Sequence, residues 1–177
     1  MTGEQLGKGA WGIVYKGKFR GLDVAVKEMH ENIYSSYNRH LFEREVTFAS
    51  KCRHPCLLLF IGATIDQRPL LVTEIMEKSL RSRLYDRGER MMSTADISVI
   101  SLDVARALNY LHQKEPPIIH HDVSSGNVLL WRRGNQWRGK VSDYGTANFV
   151  RQSKTSYAGA AIYAAPESLD EDRKSVV

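Results

Sequence analysis

Apolar residues along this chain change their period partway, and the change divides it into a strand-rich front and a helical back. Residues 5–30 read as strands, with Ile13-Val14-Tyr15 and Val24-Ala25-Val26 separated by a turn over Gly17–Gly21. Phe42, Val46 and Ala49 then recur at i, i+4, i+7, which predicts a helix over 38–52. Glu45 falls on that same stripe, and an inward carboxylate needs a partner. His54-Pro55 breaks this helix. Leu57–Ile61 and Leu70–Glu74 read as strands around an Asp66–Pro69 turn. Lys78 to Arg87 predicts a short helix ended by Gly88. The clearest helix spans 94–114, where Ile97, Ile100, Val104, Ala107, Leu108 and Leu111 keep helical spacing. Ser93 or Thr94 can cap its start, and Pro116-Pro117 stops it. Short strands follow at Val128–Trp131 and Lys140–Ser142, around a polar turn from Arg132 to Gly139. Between Gly145 and Ala164 periodicity fails, which predicts a long mobile loop. The strand-rich and helical parts meet in a hinge near residues 74–80.

Bulk properties narrow the function classes. The 177 residues are 42% hydrophobic and 25% charged, as in soluble globular proteins. A net charge of +5 raises nucleic-acid binding. The basic residues are spread out, however, and their one cluster, Arg132, Arg133, Arg138 and Lys140, lacks interleaved aromatics. Cys52, His54 and Cys56 are too few for a structural zinc site, so the two cysteines read as reduced thiols of a reducing compartment. The start, Met-Thr-Gly-Glu-Gln, has no apolar signal core. The longest apolar run, Cys56 to Ala63, is too short to span a bilayer. A cytoplasmic segment with no membrane contact of its own is expected, and an anchor elsewhere is left open.

Four motifs carry chemistry. Gly7-x-Gly9-x-x-Gly12-x-Val14 would let backbone N–H groups approach phosphates, although such spacing also occurs in plain hairpins. In Val24-Ala-Val-Lys27, Ala25 and Lys27 share one face of a strand, so Ala25 can lie against an adenine while Lys27 reaches the phosphates. An inward Glu45 on a neighbouring element would pair with Lys27 and aim its ammonium. Asp122, Asn127 and Asp143 offer oxygen ligands suited to Mg²⁺, and Asp122 can also accept a hydroxyl proton. Acids in loops are usually solvated turn residues; two acids and an amide in register with apolar strands are not.

With these pieces in this order, the chain resembles a eukaryotic protein kinase domain, most of all the tyrosine-kinase-like group. Leu6–Val14, Val24–Met29, Leu71–Met76, Ile118–Leu130, Val141–Gly145 and Ala164–Glu167 carry the resemblance. It implies an α+β, two-lobed fold, with a β-rich N-lobe over about 1–76 and an incomplete helical C-lobe over about 77–177. It also implies ATP and Mg²⁺ as cofactors and a protein substrate. Asp122 would be the catalytic base, Lys27 and Glu45 would orient ATP, and Asn127 and Asp143 would hold the metal. Nucleotide contacts would come from Leu6, Gly7, Gly9, Gly12, Val14, Ala25, Lys27, Thr73, Glu74, Met76 and Leu129. Thr73 would guard the back of the adenine pocket, and Glu74 and Met76 would offer it backbone hydrogen bonds. Ala165-Pro-Glu167 would close the activation segment.

The departures concentrate at the phosphoacceptor end. His121 stands where the family usually has an arginine that gathers a loop phosphate, so activity should depend little on Thr155, Ser156 or Tyr157. Ser124 replaces the lysine of serine/threonine kinases, and Gly126 the arginine of many tyrosine kinases, so stabilisation of the transferred group should weaken. Ala160 replaces a threonine common near the substrate platform, while Tyr163 still favours serine/threonine specificity. Tyr144 stands for phenylalanine. The chain also stops ten residues after Glu167, so an incomplete domain with an uncovered helix face is expected. Serine or threonine phosphotransfer is the favoured reading, and an ATP-binding pseudokinase scaffold the alternative.

Overall fold

The computed structural model describes residues 3–9, 12–30, 36–65, 68–115, 117–120 and 122–143, with the side chains of 36–41, 44 and 45 left out. The front half is a five-stranded antiparallel sheet in the order β1-β2-β3-β5-β4. Its strands are β1 (Gln5–Lys8), β2 (Gly12–Phe19), β3 (Leu22–Met29), β4 (Phe60–Thr64) and β5 (Leu70–Glu74). Helix α1 (Ser36–Lys51) lies between β3 and β4 in sequence. The back half holds a three-stranded sheet, β6 (Lys78–Ser79), β7 (Val128–Arg133) and β8 (Gln136–Val141), with α2 (Leu80–Tyr85) and α3 (Thr94–His112). This is the α+β, two-part architecture expected from the sequence.

Local chemistry explains the boundaries, including those that differ from expectation. The predicted Gly17–Gly21 turn contracts to Arg20-Gly21, both at positive φ (51° and 83°). That pairing matches the right-handed twist of a two-residue hairpin, so Gly17 to Phe19 stay in β2. The strand expected from Leu57 begins only at Phe60. The Leu58 N–H instead donates to the Val141 carbonyl at 2.9 Å, and the Val141 N–H to Cys56 at 2.9 Å. The Lys78–Arg87 helix is also shorter than expected. Lys78 and Ser79 pair with β7, and Ser79 caps α2 by accepting the Ser82 N–H at 3.0 Å. Asp86, whose carboxylate accepts the Gly88 N–H, ends it. The polar turn expected over 132–139 is mostly strand, because Trp137 is buried against Ile100, Val128 and Leu130.

Helix α3 meets its prediction closely, with Ser93 accepting the Asp96 N–H at 3.1 Å. It ends at His112, before Pro117. Its inward residues Ile100, Ala107 and Leu111 are buried, whereas Ile97, expected on that stripe, is half-exposed. One core cluster joins the two halves: Ala49 and Cys52 from the front pack with Ala107, Leu111 and Val141 from the back. Asp103 stands inside this junction at 1% exposure. Arg138 grips its carboxylate with two bonds of 2.7 Å, and the Gly139 N–H adds a third at 3.1 Å. Burial opposes its charge, yet these donors outweigh that and hold Asp103 below the usual carboxylate range.

Cys52 and Cys56 are free and buried, and burial pushes both thiols up. His54 accepts the Cys56 N–H and stacks on Tyr110, so it serves the turn. Among the described residues no helix is long and apolar enough to cross a membrane.

Candidate active site

Strand register assembles one wall of a cleft. Directly opposed residues of an antiparallel pair project to the same face. Val14 opposes Lys27, and Ala25 opposes Thr73, so all four share one face of the sheet. Met29, two residues beyond Lys27, packs on Phe42 of α1 from that face. Helix α1 therefore covers its far end. Glu45 lies on α1, and its expected pairing with Lys27 falls outside the described side chains.

The three glycines of the Gly7-x-Gly9-x-x-Gly12 motif differ in their surroundings. Around Gly7 an added Cβ would meet nothing within 4 Å, and around Gly9 only the Gly12 carbonyl at 4.0 Å. At Gly12 it would sit 2.2 Å from the Glu28 carbonyl oxygen, so this glycine lets β2 and β3 pair closely. Leu6 is exposed beside Gly7.

The opposite wall is the segment from His120 to Asp143. Lys27 reaches it directly: its Nζ lies 2.9 Å from Asp143 Oδ1, and its side chain is only 13% exposed. Asp143 takes φ 55°, a left-handed conformation that aspartate tolerates better than most residues. The neighbouring Ser142 donates its N–H (2.8 Å) and hydroxyl (3.0 Å) to the Asn127 carbonyl. The Asn127 amide then donates to both the carbonyl and the Oδ2 of Asp122, each at 2.8 Å. One chain of bonds thus links Lys27, Asp143, Asn127 and Asp122, the residues singled out from sequence.

His120 fastens this arrangement, a task that no sequence motif marks, since its partners are set by the fold. The ring is 1% exposed. Its Nε2 faces the Ser142 carbonyl at 2.8 Å, and its Nδ1 accepts the Asp122 N–H at 3.2 Å. Only a neutral imidazole with its proton on Nε2 satisfies both contacts. Burial accordingly holds its pKa below that of a free histidine, against the pull of the Ser142 carbonyl and of Asp143 and Asp122. His121 itself lies outside the described residues, as does everything from Tyr144 onward, including the predicted loop and Ala165-Pro-Glu167.

The donor set fits Mg²⁺. Asn127 donates through its nitrogen, which leaves its amide oxygen free to act as a ligand, and the Asp143 carboxylate offers a second oxygen donor. Among the described residues no three His, Cys, Asp or Glu side chains form a metal cage. Mg²⁺ typically takes one or two protein oxygens and keeps waters and phosphate oxygens.

At the hinge, the Glu74 N–H already donates to Leu59 at 3.1 Å, which leaves its carbonyl as the group to offer. That carbonyl accepts the Thr73 hydroxyl at 3.2 Å and retains a second lone pair. The Glu74 carboxylate takes the Leu59 N–H at 2.7 Å and Lys140 Nζ at 2.6 Å. Lys140 opposes Leu129 on the hairpin, so both face the hinge. Met76 follows β5 and is half-buried. Of the expected basic cluster, Lys140, Arg138 and Arg132 each take a carboxylate within the chain, Glu74, Asp103 and Glu77.

Comparison with known proteins agrees with this geometry. The family profile described as "Protein kinase domain" matches residues 1–176. The probable serine/threonine-protein kinase SIS8 of Arabidopsis thaliana is 35% identical over 95% of the chain. Serine/threonine-protein kinase TNNI3K of Mus musculus is 34% identical over 93%, and serine/threonine-protein kinase CTR1 of Arabidopsis thaliana 34% over 96%. The chain spans 16%, 20% and 21% of the lengths of these relatives. A glycine-rich hairpin, a lysine paired to the second loop acid, and a first loop acid bonded to an asparagine are thus found in a chain matched along nearly its whole length, which belongs to the protein kinase family, in the company of its tyrosine-kinase-like members.

Proposed function

We propose that this chain is the catalytic region of an ATP-dependent kinase that phosphorylates serine or threonine hydroxyls of a protein substrate. The observation that carries this reading is the bond chain Lys27–Asp143–Ser142–Asn127–Asp122. It brings one ammonium and three oxygen-bearing side chains to one end of the cleft. The strand-rich part, about 1–76, forms the upper lobe, and about 77–177 begins the lower.

Each residue then has a task. Ala25, Val14 and Leu129 sandwich the adenine, with Thr73 behind it and Glu74 and Met76 at its polar edge; Leu6 covers the mouth. Gly7 and Gly9 admit the phosphates to backbone N–H groups, with Gly12 fixing the hairpin. Lys27 aims at the phosphates, and Glu45 on α1 supports it. Asn127 and Asp143 hold Mg²⁺, which neutralises the phosphate oxygens when bound. Asp122 orients the acceptor hydroxyl and takes its proton. The Asn127 amide holds the Asp122 carboxylate in place for this, and the His120 imidazole does the same for its backbone.

Serine/threonine specificity draws support from the printed names of the relatives and from Tyr163. The carboxylate partners of Lys140, Arg138 and Arg132 favour a protein substrate over nucleic acid. A cytoplasmic setting and a signalling role accompany the reading. The test is transfer of labelled γ-phosphate to a generic protein substrate by the protein in its natural length. Transfer that disappears in Asp122→Asn, with MgATP binding retained, is expected. MgATP binding without transfer by the wild type establishes the pseudokinase scaffold instead.

A further inference from the structure

The catalytic loop of this chain lacks a cation. Ser124 and Gly126 stand where the family places lysine or arginine, and the departing and arriving oxygens of a phosphoryl group need positive charge beside them. The structure brings a guanidinium to that place from another element. A Cβ built on Gly126 would lie 3.7 Å from both Cζ and Nε of Arg81, and 3.6 Å from Ser124 Oγ. The Arg81 side chain therefore fills the space that a side chain at 126 would occupy. Its backbone is fixed independently, since the Arg81 N–H donates to the Ser125 carbonyl at 2.7 Å.

Arg81 differs from the other arginines nearby. Arg83 pairs with Glu89, Arg132 with Glu77 and Arg138 with Asp103. Arg81 is exposed and forms none of the ion pairs found among the described residues. A guanidinium that takes no carboxylate among the described residues and rests on the loop carrying Asp122 and Asn127 is suited to an anion that arrives from outside. Glycine at 126 is what leaves it room.

Resting on the kinase reading above, we propose that Arg81 of α2 supplies the cation of the phosphoacceptor end, standing in for the loop residue absent at 124 and 126. In the reaction it serves, the bond from the γ-phosphorus to the bridging oxygen of ADP breaks. A bond from that phosphorus to the substrate hydroxyl oxygen forms. The hydroxyl proton passes to Asp122, and ADP leaves. Arg81 contacts the phosphoryl oxygens or the phosphorylated hydroxyl while charge builds there.

Arg81→Met tests this, because it keeps the stem that covers Gly126 and removes only the charge. The measurements are kcat, KM for ATP, and the affinity for MgADP with and without aluminium fluoride, which mimics the phosphoryl group in transit. Expected is a loss of roughly tenfold to a hundredfold in kcat. The aluminium fluoride complex should weaken in parallel, while KM for ATP and the affinity for MgADP alone stay as in the wild type. Adding Ser124→Lys to the Arg81→Met background should restore part of both losses. Wild-type transfer together with an Arg81→Met variant of equal kcat and equal fluoride-complex affinity overturns the arginine assignment and leaves the kinase reading intact. Absence of transfer by the wild type overturns both.

Discussion

His120 makes a proton-poor core part of the site. Its folded-state pKa lies below that of the unfolded chain, whose histidines titrate near about 6.5. Above that pH both states carry a neutral ring, and it contributes no pH dependence. As pH falls through about 6.5, the unfolded chain takes the proton while the folded ring, bonded through both nitrogens, refuses it. Stability is therefore lost as pH falls. The thermal midpoint should drop between about pH 7 and pH 5, and His120→Gln should flatten part of that slope. An unchanged slope would show that the buried imidazole does not resist protonation. At this scale the grouping of Lys27, Asp122, Asn127 and Asp143 was legible, because residue type and spacing point to it. His120, Lys140 and Arg81 were not. Their contacts arise from what the fold sets beside them, and Arg81 reaches a loop some forty positions away.

Elements were easier to name than to bound. The amphipathic period of α3 and its serine cap could be read directly, since both signals are local. The late start of β4 and the β6 pairing could not, because the Val141 backbone and β7 decide them from far along the chain. Asp103 shows how α3 acts on the site. It is a polar residue on an inward face, bonded to Arg138 and Gly139 of the strand that leads straight into Ser142 and Asp143. Asp103→Ala leaves Arg138, whose side chain is 22% exposed, without its partner. A cost of about 2–3 kcal/mol is expected, at the low end for buried pairs because water reaches the guanidinium. Denaturant unfolding measures it, and a change under about 0.5 kcal/mol would mean the pair is incidental. The depressed pKa of Asp103 also means that its contribution is present above about pH 4 and disappears as pH falls further.

The whole molecule works through its junctions. A shared core, the backbone bridge between Leu58 and Val141, and the Lys140–Glu74 pair fix the two parts around the hinge. Across the cleft that remains, Lys27 meets Asp143. The two-part architecture was readable because the order of motifs specifies it; the junctions were not, since each pairs residues remote in sequence. In the proposed function this crossing point is the nucleotide site. Calorimetric titration with ATP, with and without Mg²⁺, tests it most directly, on the wild type and on Lys27→Met, Asp143→Asn and Asp122→Asn. Expected is binding that strengthens with Mg²⁺, weakens by about tenfold or more in the first two variants, and persists in Asp122→Asn. Binding that ignores Mg²⁺ and survives loss of both Lys27 and Asp143 would contradict it.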